Sequence, residues 1–183
     1  MRIYHLGLMA AFMLLAWQPE GHASQCRDAI RAAERIYGIP KHLLLAMNEV
    51  ETLWSNQAWA WSLNVSGSPR RYGSQKDMID ALDEIIARTE NVDIGCMQIN
   101  WHWVGKRCAA VPADLVAPYP NAECSAMYLR ALRDQLGSWH KAVEAYHVGP
   151  NRKETAVIAR ANGYACKVGR KYAYLLGKEA PCK

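Results

Sequence analysis

Beyond its first 23 residues the chain has no apolar run approaching the roughly twenty residues that a membrane-spanning helix needs, so that part is expected to be soluble. No two cysteines stand at the close spacing of a zinc knuckle or ribbon, and the six histidines are scattered, which argues against a metal centre. Lysine and arginine form no cluster interleaved with aromatic residues, so a nucleic-acid partner is not expected. Repeats, low-complexity tracts and linker-like stretches are missing as well. These absences point to a single domain over residues 24–183, long enough to bury a core of its own.

What precedes that domain reads as an export signal over residues 1–23. Arg2 supplies the positive end, Leu6 to Trp17 is almost unbroken apolar side chain, and Gly21-His22-Ala23 sets small residues at the cleavage positions. The expected location is the periplasm or the exterior. All six cysteines follow the proposed cleavage point, and an even number in an exported chain reads as a disulfide set. Cys26 with Cys182 is the first pairing expected, because it would close nearly the whole mature chain and remove the most entropy from the unfolded state. Cys108 with Cys124 is the second, clamping the segment around Pro112, Pro118 and Pro120, while Cys96 and Cys166 complete the set. The formal charge of +5 mildly favours an anionic partner in the envelope, at whose surface the protein would be peripheral.

The apolar periodicity predicts a mostly helical chain with one small sheet, an α+β class. Cys26 to Tyr37 reads as a helix ended by Gly38-Ile39-Pro40, and a second helix after Pro40 carries Leu43, Leu44, Ala46, Met47, Val50 and Leu53. That second helix is apolar on more than one stripe and is expected to lie central. Trp61 to Val65 alternates like a strand, and Gly67-Ser68-Pro69-Arg70 turns it into a hairpin partner. Asp77 to Arg88 is an amphipathic helix with a cap near Ser74, and Val92 to Asn100, broken by Gly95, is expected to add a last strand. Trp101 to Cys108 is a further candidate helix, followed by an irregular connection through Asn121. Helices over Cys124 to Leu136 and Trp139 to His147 come next, then two weaker patterns, Glu154 to Ala161 and Val168 to Leu176, around Gly163.

Two segments carry chemistry. Ala46-Met47-Asn48-Glu49-Val50-Glu51 puts a carboxylate at the end of an apolar helix, and Asp93-Ile94-Gly95-Cys96-Met97-Gln98-Ile99-Asn100 carries an amide that could face it. A carboxyl group half shielded by apolar neighbours has its charged form disfavoured, and can hand a proton to a leaving oxygen. Glycosidic cleavage needs such a donor together with something to manage charge at the anomeric carbon. Glu49, two positions earlier, points nearly the opposite way around the helix, so the two glutamates are not a facing pair. Gly95 would let backbone come close to a sugar, and Gln98 offers a donor and an acceptor. Tyr146 adds a hydroxyl that could bond the glutamate. Each residue also has a plainer reading: Glu51 as a helix-end carboxylate paired with an arginine such as Arg71, Cys96, Met97 and Ile99 as packing, and Tyr146 as core. Of Trp59, Trp61, Trp101 and Trp103, at least half are expected inside rather than against a sugar.

Taken together, these segments resemble the motifs of the bacterial lytic transglycosylases of the lysozyme-like superfamily, particularly the small exported ones associated with secretion and conjugation systems. Tyr37-Gly38-Ile39-Pro40 leading to Val50-Glu51-Thr52 is similar to their first motif, with threonine in place of serine. Gly95-Cys96-Met97-Gln98-Ile99 matches the second, with cysteine for leucine, and Ala145-Tyr146-His147 the third, with histidine for asparagine. The passage from Trp59 to Gly67 resembles one branch of the family. The resemblance spans about residues 26–160.

It implies a lysozyme-like fold and cleavage of the bond between N-acetylmuramic acid and N-acetylglucosamine in peptidoglycan, with Glu51 as the catalytic acid and then base, and no cofactor. The muramoyl C6 hydroxyl, rather than water, would attack C1 and leave a 1,6-anhydro end. It also implies substrate-binding roles for Gln98 and Tyr146, and for Thr52, Asn64 and Met97. Two alternatives stay open: a hydrolytic muramidase, with Asp93 as its second acid, and a non-catalytic glycan-binding component of a secretion apparatus.

Overall fold

The computed structural model of the chain describes residues 20–52, 59–151, 153–179 and 182. Within them lie six α-helices and a four-stranded antiparallel sheet, an α+β arrangement of the kind expected. The apolar stretch Leu6 to Trp17 and the aromatic passage around Trp54 lie outside the described residues, as does the side chain of Thr52.

Helix α1 (Glu20–Ile36) buries Cys26, Ala29, Ile30 and Ala33, the three- and four-residue spacing of one helical face. It stops where Gly38 takes a φ of +61° and the Ile39 N–H donates back to the Glu34 carbonyl at 2.9 Å, a turn open chiefly to glycine. The same Glu34, only 3% exposed, sends its carboxylate to the head of the next helix, α2 (Leu43–Thr52). It accepts from the backbone N–H groups of His42 at 2.9 Å, Leu44 at 2.9 Å and Leu45 at 3.1 Å. Those are orphan donors of a first helical turn, and a negative group there also meets the positive end of the helix dipole. One buried acid therefore fixes where α2 begins, and hence where its far end delivers Glu51. Leu43 to Met47 are all buried, so α2 is central, as its composition indicated.

Strands β1 (Ser62–Val65) and β2 (Ser68–Arg71) form the expected hairpin, turning at Ser66 and Gly67. Helix α3 (Gln75–Ile86) is capped by Ser74, whose Oγ accepts from the Asp77 N–H at 3.1 Å, and buries Met78, Leu82 and Ile85. Val92 to Asn100 departs from the single strand expected. It forms two, β3 (Val92–Ile94) and β4 (Ile99–Asn100), in the sheet order β2-β1-β3-β4. The reversal between them is possible because Gly95 and Gln98 both take positive φ, +71° and +49°, and the Gln98 N–H closes on the Gly95 carbonyl at 3.1 Å.

Trp101 to Cys108 makes successive turns and one 3-10 turn (Gly105–Arg107) instead of a helix. The connection after it is shorter than expected, since a second 3-10 turn (Pro112–Leu115) leads directly into α4 (Pro118–Leu136). Pro118 opens that helix, where a missing N–H costs nothing, so Pro120 and Asn121 are helical. Helix α5 (Trp139–Val148) follows the left-handed Gly137 and is capped by Ser138. The two tail patterns are one helix, α6 (Thr155–Leu175), which runs through Gly163. A glycine in a helix interior costs about 1 kcal/mol, and burial of Ala161, Tyr164, Ala165 and Val168 on the face toward α2 and α5 outweighs it.

Three disulfides are present, and one expected pairing is corrected. Cys108 joins Cys124 as anticipated, but Cys26 bonds Cys96 and Cys182 bonds Cys166. Cys26 is fully buried on the inner face of α1, where the chain turns past it after Gly95, with the two Cα atoms 5.7 Å apart. Cys182 instead ties the tail back to α6. Loop-closure entropy favours the longest bridge only among partners that packing brings within reach.

Candidate active site

The sheet is divided by its pleat. On one face Leu63, Ile94 and Ile99, register partners across β1, β3 and β4, are at most 1% exposed and join the core. On the other, Asn64, Asp93 and Asn100 form a polar row, each directly opposite the next. This row lines a groove of about 650 Å³ together with Glu51, Gln98, Trp103, Arg107, Tyr128, Tyr146 and His147. A helix end, a sheet face and a tight turn thus converge on one space.

Glu51 keeps 22% of its side chain exposed in that groove, and its Oε1 stands 3.9 Å from Nδ1 of His147. Glu49, two residues back, pairs instead with Lys171 of α6 at 3.1 Å, the opposite direction that helical geometry requires. Asp93 shares the groove. Burial pushes its carboxyl above the ordinary range, the Asn100 amide donating at 2.8 Å works the other way, and the nearby charge of Glu51 adds to the rise. The Tyr164 phenol comes near enough to Glu51 to feel its charge, without a well-formed hydrogen bond, and burial above all raises it well beyond the usual tyrosine range. His147 stacks flat on that ring, centroids 4.5 Å apart and planes 8° from parallel, so the imidazole beside Glu51 is held in place.

Gln98 lines the groove with its side chain tied at one end. The amide nitrogen donates to the Gly95 carbonyl at 2.8 Å and to Ser62 Oγ at 3.1 Å, which leaves the amide oxygen for a ligand. Asn64 stands in the polar row. Met97 is placed differently from the substrate-contacting role the resemblance implied: its side chain is fully buried in the core, and only its backbone serves the site. Tyr146 lines the groove, but its hydroxyl meets Ser125 Oγ at 2.9 Å and donates to the Met97 carbonyl at 3.4 Å rather than bonding Glu51. Burial, chiefly, drives its phenol far above the ordinary tyrosine value, with the Ser125 bond opposing, so it stays a neutral donor. Of the four tryptophans, Trp61 and Trp101 are core, Trp59 is half-buried with its ring N–H on the Tyr72 carbonyl at 2.9 Å, and Trp103 stands in the groove.

What sequence reasoning missed is the set of side chains that shapes the turn between β3 and β4. Asn121, fully buried at the start of α4, donates from Nδ2 to the Ile94 carbonyl at 2.7 Å and the Leu115 carbonyl at 2.9 Å, and accepts the Met97 N–H at 2.8 Å. Asn48, on α2, donates to the Cys96 carbonyl, and the Gly95 N–H donates to the Ser62 carbonyl at 2.9 Å. A Cβ on Gly95 would fall 2.8 Å from Asn121 Nδ2, so the glycine makes room for the asparagine that holds it. Nothing local marks Asn121 or Ser125, since an asparagine and a serine in a polar helix are ordinary surface residues until the chain packs. Among the described residues no three histidine, cysteine, aspartate or glutamate side chains converge as a metal site would.

The arrangement offers one acid at the end of a buried helix, an imidazole beside it, a second carboxyl across the sheet, and amide groups to hold a polar chain. The comparisons with known proteins agree with it. A family model described as a transglycosylase SLT domain matches residues 28–164, which include Glu51, the turn after Gly95 and the end of α5. No curated protein and no solved structure matches the chain. The chain therefore belongs to the transglycosylase SLT domain family of lysozyme-like lytic transglycosylases, a family of peptidoglycan-cleaving enzymes.

Proposed function

We propose that the protein cleaves the β-1,4 bond between N-acetylmuramic acid and N-acetylglucosamine and leaves 1,6-anhydro-muramoyl ends. The observation that carries this reading is Glu51, delivered by α2 into a groove lined with amides and hydroxyls. Glu51 donates its proton to the glycosidic oxygen as the C1–O bond breaks. The resulting carboxylate takes the proton from the muramoyl C6 hydroxyl as that oxygen bonds C1, so the acid is restored without a water molecule. A nucleophile carried by the substrate is already within reach, which replaces the second carboxylate of a hydrolase. The Gln98 amide oxygen and the polar row of Asn64, Asp93 and Asn100 orient the sugars.

The export-like leader and three disulfides support action in the periplasm or outside the cell, where such bonds persist. Local opening of the wall for a secretion or conjugation apparatus is the role the sequence resemblance favours. Glu51→Gln should fold like the parent and lose about 10³-fold or more in cleavage of sacculi, read by mass analysis of the released fragments. Undiminished fragment yield would end the assignment.

One observation favours a second reading. Asp93 lines the same groove and feels the charge of Glu51, so a hydrolytic reaction using both acids is the rival. Reducing ends in place of anhydro ends, lost on Asp93→Asn, would decide for it. Binding of glycan with no fragments at all would decide for a non-catalytic component.

A further inference from the structure

Residues 101–108 form a short unit with three faces. Trp101 is buried, and Gly105 lies so close against it that a Cβ would stand 2.6 Å from Trp101 Cε3 and 3.0 Å from Leu115 Cδ1. His102 and Lys106, four residues apart, both grip Glu90, and these two partners hold its carboxyl below the usual range, Lys106 foremost. Trp103 and Arg107, again four apart, face the groove. The Cys108–Cys124 bridge fastens the end of the unit to α4. Core, clamp and disulfide therefore fix the backbone, and what they fix is the presentation of one indole and one guanidinium.

Neither group has structural work that would explain its place. Trp103 is 67% exposed, and its ring stands perpendicular to that of His102 with centroids 4.5 Å apart. Arg107 has no carboxylate partner among the described residues, and the Glu90 carboxylate is taken by His102 and by the adjacent Lys106. It stands near enough to Tyr128 for its charge to act on that phenol. Among the described residues that line the groove Arg107 is the one lysine or arginine, so a carboxylate on a ligand would be drawn to it. A flat apolar face beside a fixed cation suits a sugar ring that bears a carboxylate.

We propose that Trp103 and Arg107 form a subsite for a carboxylate-bearing muramoyl unit, the sugar face on the indole and the carboxylate on the guanidinium. This rests on the reading of the groove as a glycan site, and it makes Arg107 the residue that tells anionic wall glycan from a neutral polymer of N-acetylglucosamine. An exposed ion pair contributes modestly and is screened by salt, so the discrimination is a matter of several-fold at low ionic strength.

The test is calorimetric binding to Glu51→Gln protein with three probes: an N-acetylglucosamine tetramer, peptide-stripped glycan strands and peptide-bearing strands. Adding Trp103→Ala should weaken all three by roughly tenfold. Adding Arg107→Gln should weaken only anionic strands, by about fivefold, and flatten their salt dependence, with Arg107→Lys recovering part. Loss on the stripped strands assigns the carboxylate to the lactyl group; loss confined to peptide-bearing strands assigns it to the stem. Equal weakening of the neutral tetramer by Arg107→Gln, or no weakening of any probe, overturns the subsite. Cleavage by the Glu51→Gln parent would instead remove Glu51 as the acid, a separate failure.

Discussion

Removing the Asn121 side chain should damage stability and cleavage together, because three hydrogen bonds from one buried amide hold the turn that carries Gln98. Asn121 is 0% exposed, and its bonds to Ile94, Leu115 and Met97 measure 2.7, 2.9 and 2.8 Å. A buried hydrogen bond contributes about 1 kcal/mol net, and a group left dry costs about 1–3 kcal/mol, so Asn121→Ala should destabilise by roughly 3–6 kcal/mol. For a domain of this size each kcal/mol moves the melting point by about 2–4 °C, which makes even the lower figure a fall of roughly 6–12 °C. Asn121→Asp sharpens the test. It keeps the acceptor for Met97 N–H, but it points a second carboxylate oxygen at two carbonyls where the amide donated, so it should be no more stable than the alanine variant. Urea and thermal unfolding followed by tryptophan fluorescence, under non-reducing conditions, gives the stabilities, and fragment release from sacculi gives the activity. A loss below about 1 kcal/mol with parental cleavage, or an aspartate variant more stable than the alanine one, would refute the claim that this amide holds the turn.

Glu34→Ala strands three backbone donors at the head of α2 and should cost roughly 3 kcal/mol in urea unfolding, with Glu34→Gln milder because it keeps one acceptor. Asp93 binds its proton more tightly folded than unfolded, so its contribution is fully present below the usual 3.8 and is lost as pH rises through its raised value. Asp93→Asn should therefore melt above the parent at pH 7, with the gap closing on acidification toward pH 3; a gap unchanged with pH would contradict the burial argument. Gln98→Ala should fold but lose about tenfold in cleavage, and full turnover would take Gln98 out of the site.

Much of the architecture was legible because it is written in short windows. The apolar spacing of α1 and α3, the Ser74 cap, the left-handed glycine that stops α1 and the hairpin of β1 and β2 each depend on neighbours a few residues away. The errors fall where distant partners overrule a local signal. Gly163 reads as a break, but the apolar face around it has α2 and α5 to cover. Val92 to Asn100 reads as one strand, but Asn121 and Asn48 hold a reversal in its middle.

By itself the sequence determined that an acid would end a buried helix, that a glycine-broken segment would follow, and which family the chain belongs to, because residue type and short spacing carry that information. Only the tertiary structure decided that Cys26 meets Cys96, that Met97 faces inward while Gln98 lines the groove, and that Glu51, Asp93, His147 and Tyr164 share one neighbourhood. Such meetings join residues tens of positions apart. Their geometry follows from how helices and sheet pack as bodies, which no local period records.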